Sequence, residues 1–122
     1  MMSTFEQLGG AAGIRAFVDE LTVRIDADPV LGPMFAEVDP LLLNQHREKY
    51  FAAVFGGPEG YSGRGLREAH ASLSLTDEAY DRFLRIVDET LAGLGANVTA
   101  AIEVRALLER LRLAIVSPDP RA

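Results

Sequence analysis

The chain has no cysteine and no tryptophan, and its 122 residues include only two histidines, His46 and His70. Without cysteine there is no disulfide, no thiolate nucleophile, no iron–sulfur cluster and no cysteine-bound zinc. Positive charge is also short. Twelve Lys and Arg face 18 Asp and Glu, a formal net charge of −6. Such a chain lacks the concentrated positive footprint that phosphate backbones require, so no nucleic-acid partner is expected. No apolar run approaches the roughly 18 residues of a membrane helix, and the start of the chain lacks the basic-then-apolar pattern of a secretory leader. The expectations are no membrane association, a cytoplasmic location and, with this net charge, a monomer. What is present, 48% hydrophobic and 25% charged residues, is a globular balance. The length suits one domain over residues 1–122 that buries a core without staples. Any site built on imidazole must use one or both histidines.

Apolar residues recur at helical spacing nearly throughout and no segment alternates as a strand would, which predicts an all-α fold. Thr4 with Gln7 fits a capping box for a short opening helix that Gly9-Gly10 stops. A longer helix is predicted from about Ala11 to Ala27, burying Ile14, Phe17, Val18, Leu21 and Ile25 and ending at Asp28-Pro29. Residues 29–38 read as a connector with at most one helical turn. Asp39-Pro40 is a strong helix start, and that helix should run to about Phe55, before Gly56-Gly57-Pro58. Residues 56–65, GGPEGYSGRG, are half glycine and read as a loop, followed by a short helix over 66–73. Thr76 caps a helix that turns Tyr80, Phe83, Leu84, Val87, Leu91 and Leu94 inward and closes at Gly95. A last helix over about 98–116 points Val104, Leu107, Leu108, Leu111 and Ile115 inward.

His70 sits in LREAHASL, where Leu66, Ala69, His70 and Leu73 share one face. Taken alone, it reads more readily as a core histidine bonded to a carbonyl than as a metal ligand. His46 borders the inward face of its helix, between Leu43 and Tyr50. Its neighbour Arg47 occupies a position where arginine usually snorkels outward or meets an acid. Two histidines on different helices, with no HExxH and no carboxylates clustered beside both, make a poor zinc site. Haem differs, because the macrocycle supplies four nitrogens and one histidine suffices. It also needs a flat apolar slot, for which Phe35, Tyr50, Phe51, Leu66, Leu73, Tyr80, Phe83, Val87 and Leu108 are candidates. There is no GxSxG, no Walker A and no GxGxxG opening a helix after a strand.

Four segments then coincide with one known pattern: FEQLGG near the start, DADPVLGPMF in the connector, FGGPEGYSGRG in the loop, and LREAH. In order and spacing, over nearly the whole chain, the sequence resembles the group I truncated haemoglobins, whose fold is a two-over-two helical sandwich around haem. The resemblance places His70 at the proximal iron ligand and Phe35 at the phenylalanine that packs on the porphyrin. It places Tyr61, Arg64 and Arg67 where the family holds the haem propionates, a task suited to charge-assisted donors. Gly9, Gly10, Gly56 and Gly57 match glycines that let the short helices turn. The implied cofactor is haem b, held non-covalently. The implied ligands are O2, NO and CO.

The departures concern the distal side. Most relatives have a tyrosine on the second helix that donates a hydrogen bond to the bound ligand; here the aligned pair is Leu21-Thr22. Thr22 carries a hydroxyl on a much shorter side chain. Arg47 stands where a glutamine usually assists, and Leu43 occupies the other common distal position. Arg47 could point inward as a charged donor or bridge to a propionate at the haem edge. The edge is favoured because burying arginine beside a neutral ligand is expensive. Some relatives have a histidine at the position of His46 that binds iron as a sixth ligand; in others this position contacts a propionate.

The resemblance thus implies reversible binding of small diatomic ligands in a pocket of non-standard polarity. If the protein turns over, it implies NO dioxygenation with a reductase partner. Weak oxygen retention would shift the role toward the ferric state, as weak peroxidase, electron carrier or ligand sensor. A haem-free helical interaction module is the contrasting class, and the candidate pocket residues argue against it.

Overall fold

In the computed structural model, residues 2–56 and 75–116 are described. The short helix predicted over 66–73 and all but the first residue of the loop predicted over 56–65 lie outside them, and with them Tyr61, Arg64, Leu66, Arg67, His70 and Leu73. Every regular element among the described residues is helical.

Helix α1 spans Thr4–Gln7. Its cap lies one residue earlier than predicted. Ser3 accepts from the Glu6 N–H, and the Glu6 carboxylate accepts from the Ser3 N–H. Thr4 and Gln7 are engaged elsewhere: both donate to the Glu103 carboxylate, at 2.7 and 3.1 Å, tying the start of the chain to a distant helix. The turn at Gly9 and Gly10 has φ of 103° and 68°, values that side chains beyond glycine rarely adopt. Gly13 matters for another reason, since a methyl there would stand 1.8 Å from the Leu8 carbonyl oxygen.

Helix α2, Gly10–Ala27, buries the predicted stripe of Ile14, Phe17, Val18, Leu21 and Ile25. Asp28 then accepts from the N–H groups of Val30 and Leu31, starting the connector with its 3-10 turn over Gly32–Phe35. Helix α3, Pro40–Val54, starts with Asp39 accepting from Leu41 N–H, and α4, Asp77–Gly93, with Thr76 accepting from Ala79 N–H. Leu94 lies beyond the end of α4 and is exposed, contrary to the inward position predicted for it.

The single helix predicted over 98–116 is two, α5 (Val98–Arg110) and α6 (Arg112–Ile115). The Tyr80 hydroxyl donates to the Leu108 carbonyl, the oxygen that would accept from Arg112 N–H in a continuous helix. A side chain from α4 therefore divides the helix at Leu111.

Helix α2 packs on both α3 and α4, and α4 packs on α5, so that two helix pairs lie one over the other. This is the expected two-over-two sandwich. Phe17 of α2 meets Phe51 of α3 and Phe55, just past its end, edge-on, with ring centroids 5.2 and 6.1 Å apart. Burying each such ring stabilises the fold by about 1.5–3 kcal/mol.

Candidate functional site

A cavity of about 800 Å³, including its mouth to solvent, lies between α2, the connector, α3 and α4. Leu21 and Ile25 form the α2 wall, Leu31 and Phe35 the connector wall, and Leu43, His46, Arg47, Tyr50 and Phe51 the α3 wall. Leu75, Ala79, Tyr80 and Phe83 close the fourth side. The geometry follows from helical spacing. Leu43, Arg47, Tyr50 and Phe51 fall three and four residues apart, so one face of α3 looks into the cavity. Tyr80 and Phe83 do the same from α4, their ring centroids 5.6 Å apart.

Arg47 departs from the outward, solvated position that its type suggested. It is only 8% exposed. Nη1 donates to Thr22 Oγ1 at 2.9 Å, and the Thr22 hydroxyl donates to Asn44 Oδ1 at 2.7 Å. The guanidinium carbon lies 4.9 Å from the centre of the Phe35 ring. Nη2 is buried and has no hydrogen-bond partner among the described residues. Burial pulls the Arg47 pKa below its ordinary value, and the charge of Asp26 opposes that shift. His46 also lines the cavity but is exposed, placing it at the rim.

The structure thus brings Phe35, Leu43, His46, Arg47, Tyr50, Phe51, Tyr80 and Phe83 to one cavity, as candidate residues of one pocket should be. Thr22 lies behind the wall and reaches the cavity through Arg47. Leu108 and Val87 are fully buried in the core and do not line it. Leu108 instead supports the site indirectly, through the carbonyl that accepts from Tyr80. Leu21, Ile25, Leu31, Leu75 and Ala79 are cavity residues that pattern reading did not assign to the pocket. Leu21 and Ile25 carried only a core signal, because a helix face that lines a pocket has the same spacing as one that fills a core.

Two helix pairs thus hold an apolar cavity with one buried cation, incompletely bonded among the described residues, in its wall. The family model for bacterial-like globins matches residues 3–117. A group 1 truncated haemoglobin from Nostoc commune is 32% identical over 111 residues, covering 91% of this chain and 92% of that protein. One from Synechocystis is 31% identical, covering 88% and 90%. Among solved structures, the truncated haemoglobin of Tetrahymena pyriformis superposes with a TM-score of 0.88 at 23% identity, over 96% of this chain and 100% of that one. The 2/2 haemoglobin of Synechococcus sp. PCC 7002 also gives 0.88, at 27% identity over 94% and 98%; its structure is of the cyanomet state with covalently attached haem. The chain belongs to the group 1 truncated haemoglobins, a family of haem-based ligand binders.

Proposed function

We propose that this protein holds haem b non-covalently, with His70 as the iron's proximal ligand, and reversibly binds O2, NO or CO as a cytoplasmic monomer of one domain. The haem supplies ligand binding at its iron. The observation that carries the reading is the cavity itself, whose walls are hydrocarbon and aromatic rings apart from a few polar groups. Its residues fit a flat apolar group whose bound ligand can accept a hydrogen bond, since Nη2 of Arg47 is a buried donor that no described residue satisfies. Phe35, Tyr50, Phe51, Tyr80 and Phe83 would form the slot and exclude water. Arg47 would take the polar role that a tyrosine fills in most relatives, held in place by Thr22. His46, at the rim, is suited to a propionate rather than to the iron, alongside Tyr61, Arg64 and Arg67 of the Gly-rich segment.

The test is spectroscopic. Purified protein loaded with haemin should show a Soret band at one haem per chain, and a ferric spectrum that is high-spin at neutral pH. A low-spin ferric spectrum that His46→Ala converts to high-spin would make His46 the sixth ligand instead. His70→Ala should lose most of its haem; unchanged retention would remove His70 from the proximal role. Acidified butanone should extract the haem, whereas colour remaining on the protein would mean a covalent link like that of the Synechococcus protein. Failure to bind haemin at all would favour a haem-free interaction module.

A further inference from the structure

The bonding of Arg47 bears on which ligands the cavity prefers. No carboxylate among the described residues forms an ion pair with it; Asp26 acts on it only as a nearby charge. Its orientation is nevertheless fixed. Nη1 is held by Thr22, whose hydroxyl proton is committed to Asn44, so the Thr22 oxygen faces Arg47 as an acceptor. The guanidinium is planar and rests against Phe35, so these two contacts also determine where Nη2 lies. The result is an oriented cationic donor, 8% exposed, in the wall of an apolar cavity.

We infer that Arg47 favours the binding of small inorganic monoanions to the ferric holoprotein more than that of neutral CO to the ferrous one, as a donor that Thr22 and Asn44 position. The inference rests on the haem reading above and adds a ligand class to it. Three physical effects act in the same direction. A hydrogen bond between charged partners is roughly twice as strong as one to a neutral acceptor. A buried cation with an unfilled donor is destabilised until a counter-charge arrives. Apolar walls keep out the water that would otherwise screen the attraction. CO, which stays nearly neutral when bound, gains little from any of them.

The experiment compares fluoride and azide binding to the ferric holoprotein with CO binding to the ferrous form, each as an equilibrium titration. Arg47→Leu should weaken anion binding by about ten- to a hundredfold, and the anion loss should exceed the CO loss by at least about tenfold. Arg47→Lys should recover part of it. Thr22→Val keeps the side-chain shape but removes the acceptor, and should cost anions about three- to tenfold with a smaller effect on CO. If anion and CO affinities fall by the same factor, or neither falls, the inference is overturned while the haem reading stands. If Arg47→Leu sheds its haem and Thr22→Val binds fluoride as the parent does, Arg47 serves a propionate and the inference is again overturned. A parent protein that takes up no haemin would remove both readings together.

Discussion

Arg47 and Arg112 each lay a guanidinium 4.9 Å from the centre of an aromatic ring, Phe35 and Tyr80 respectively, yet they are opposite kinds of residue. Arg112 spends its donors on three carboxylates. It bonds Glu109 at 3.0 and 3.1 Å, Asp81 at 2.7 Å and Asp77 at 3.1 Å, and these bonds raise its pKa. Arg47 has a hydroxyl in place of a carboxylate and one nitrogen without a partner among the described residues, and burial lowers its pKa. Stacking on a ring is common to both. Pairing separates a clip that joins α4, α5 and α6 from a donor held ready beside a cavity. A buried polar group left incomplete costs stability, so its persistence in the cavity wall points to a ligand.

That contrast can be sharpened with a third arginine, Arg82, which donates to both oxygens of Asp28 at 2.7 and 3.2 Å. Asp28→Ala removes this pair and the acceptor for Val30 and Leu31, and should cost about 2 kcal/mol in urea unfolding. A cost under about 0.5 kcal/mol would mean that pairing contributes little here. The Arg82 bond holds the Asp28 carboxyl at about 2, below its ordinary 3.8. A depressed folded pKa gives stability that is complete above about pH 4 and lost as pH falls toward 2. Asp28→Ala should therefore flatten the acid limb of a stability–pH curve over that window.

Arg112→Leu comes next, at about 1 kcal/mol, because its partners are partly exposed. It leaves Asp77, Asp81 and Glu109 facing one another, so the loss should shrink in about 1 M salt. Tyr80→Phe keeps the ring beneath Arg112 but leaves the Leu108 carbonyl with only the Leu111 N–H among the described donors, at a cost of about 1 kcal/mol. Faster amide exchange around Leu111 would be its signature. Burial raises the Tyr80 pKa, so this phenol should stay neutral until alkaline unfolding, as phenolate absorbance would report. The smallest effect on stability is expected at Arg47. In the haem-free protein Arg47→Leu should be neutral or stabilising by up to about 1 kcal/mol. A loss above about 2 kcal/mol would make Arg47 a structural clip of the Arg112 kind.

Much of the fold was legible because its signals are local. The Asp39 and Thr76 caps and the Ile14–Ile25 stripe each depend on residues within a few turns of one another. Three readings failed where a distant partner intervened. Thr4 and Gln7 look like a capping box, but Glu103 takes both side chains. Residues 98–116 look like one helix, but Tyr80 captures the Leu108 carbonyl. Arg47 looks like a solvated residue, but it is buried and Thr22, across on α2, provides an interior acceptor. At the site, the aromatic residues were recognisable by type and spacing, whereas Leu31, Leu75 and Ala79 carry nothing in their chemistry that marks a pocket.

By itself the sequence determined an all-helical chain without cysteine chemistry, the order and caps of its main helices, and the motifs of a truncated haemoglobin. Those follow from the spacing of apolar residues, from glycine and proline at the turns, and from side chains that bond their own neighbours. Only the tertiary structure decided that Arg47 turns inward, that its second nitrogen meets no acceptor among the described residues and that His46 stays at the rim. The physical reason is that a charge can be buried only where another element supplies a partner. For Arg47 that partner, Thr22, comes from a helix that the local pattern of α3 does not register.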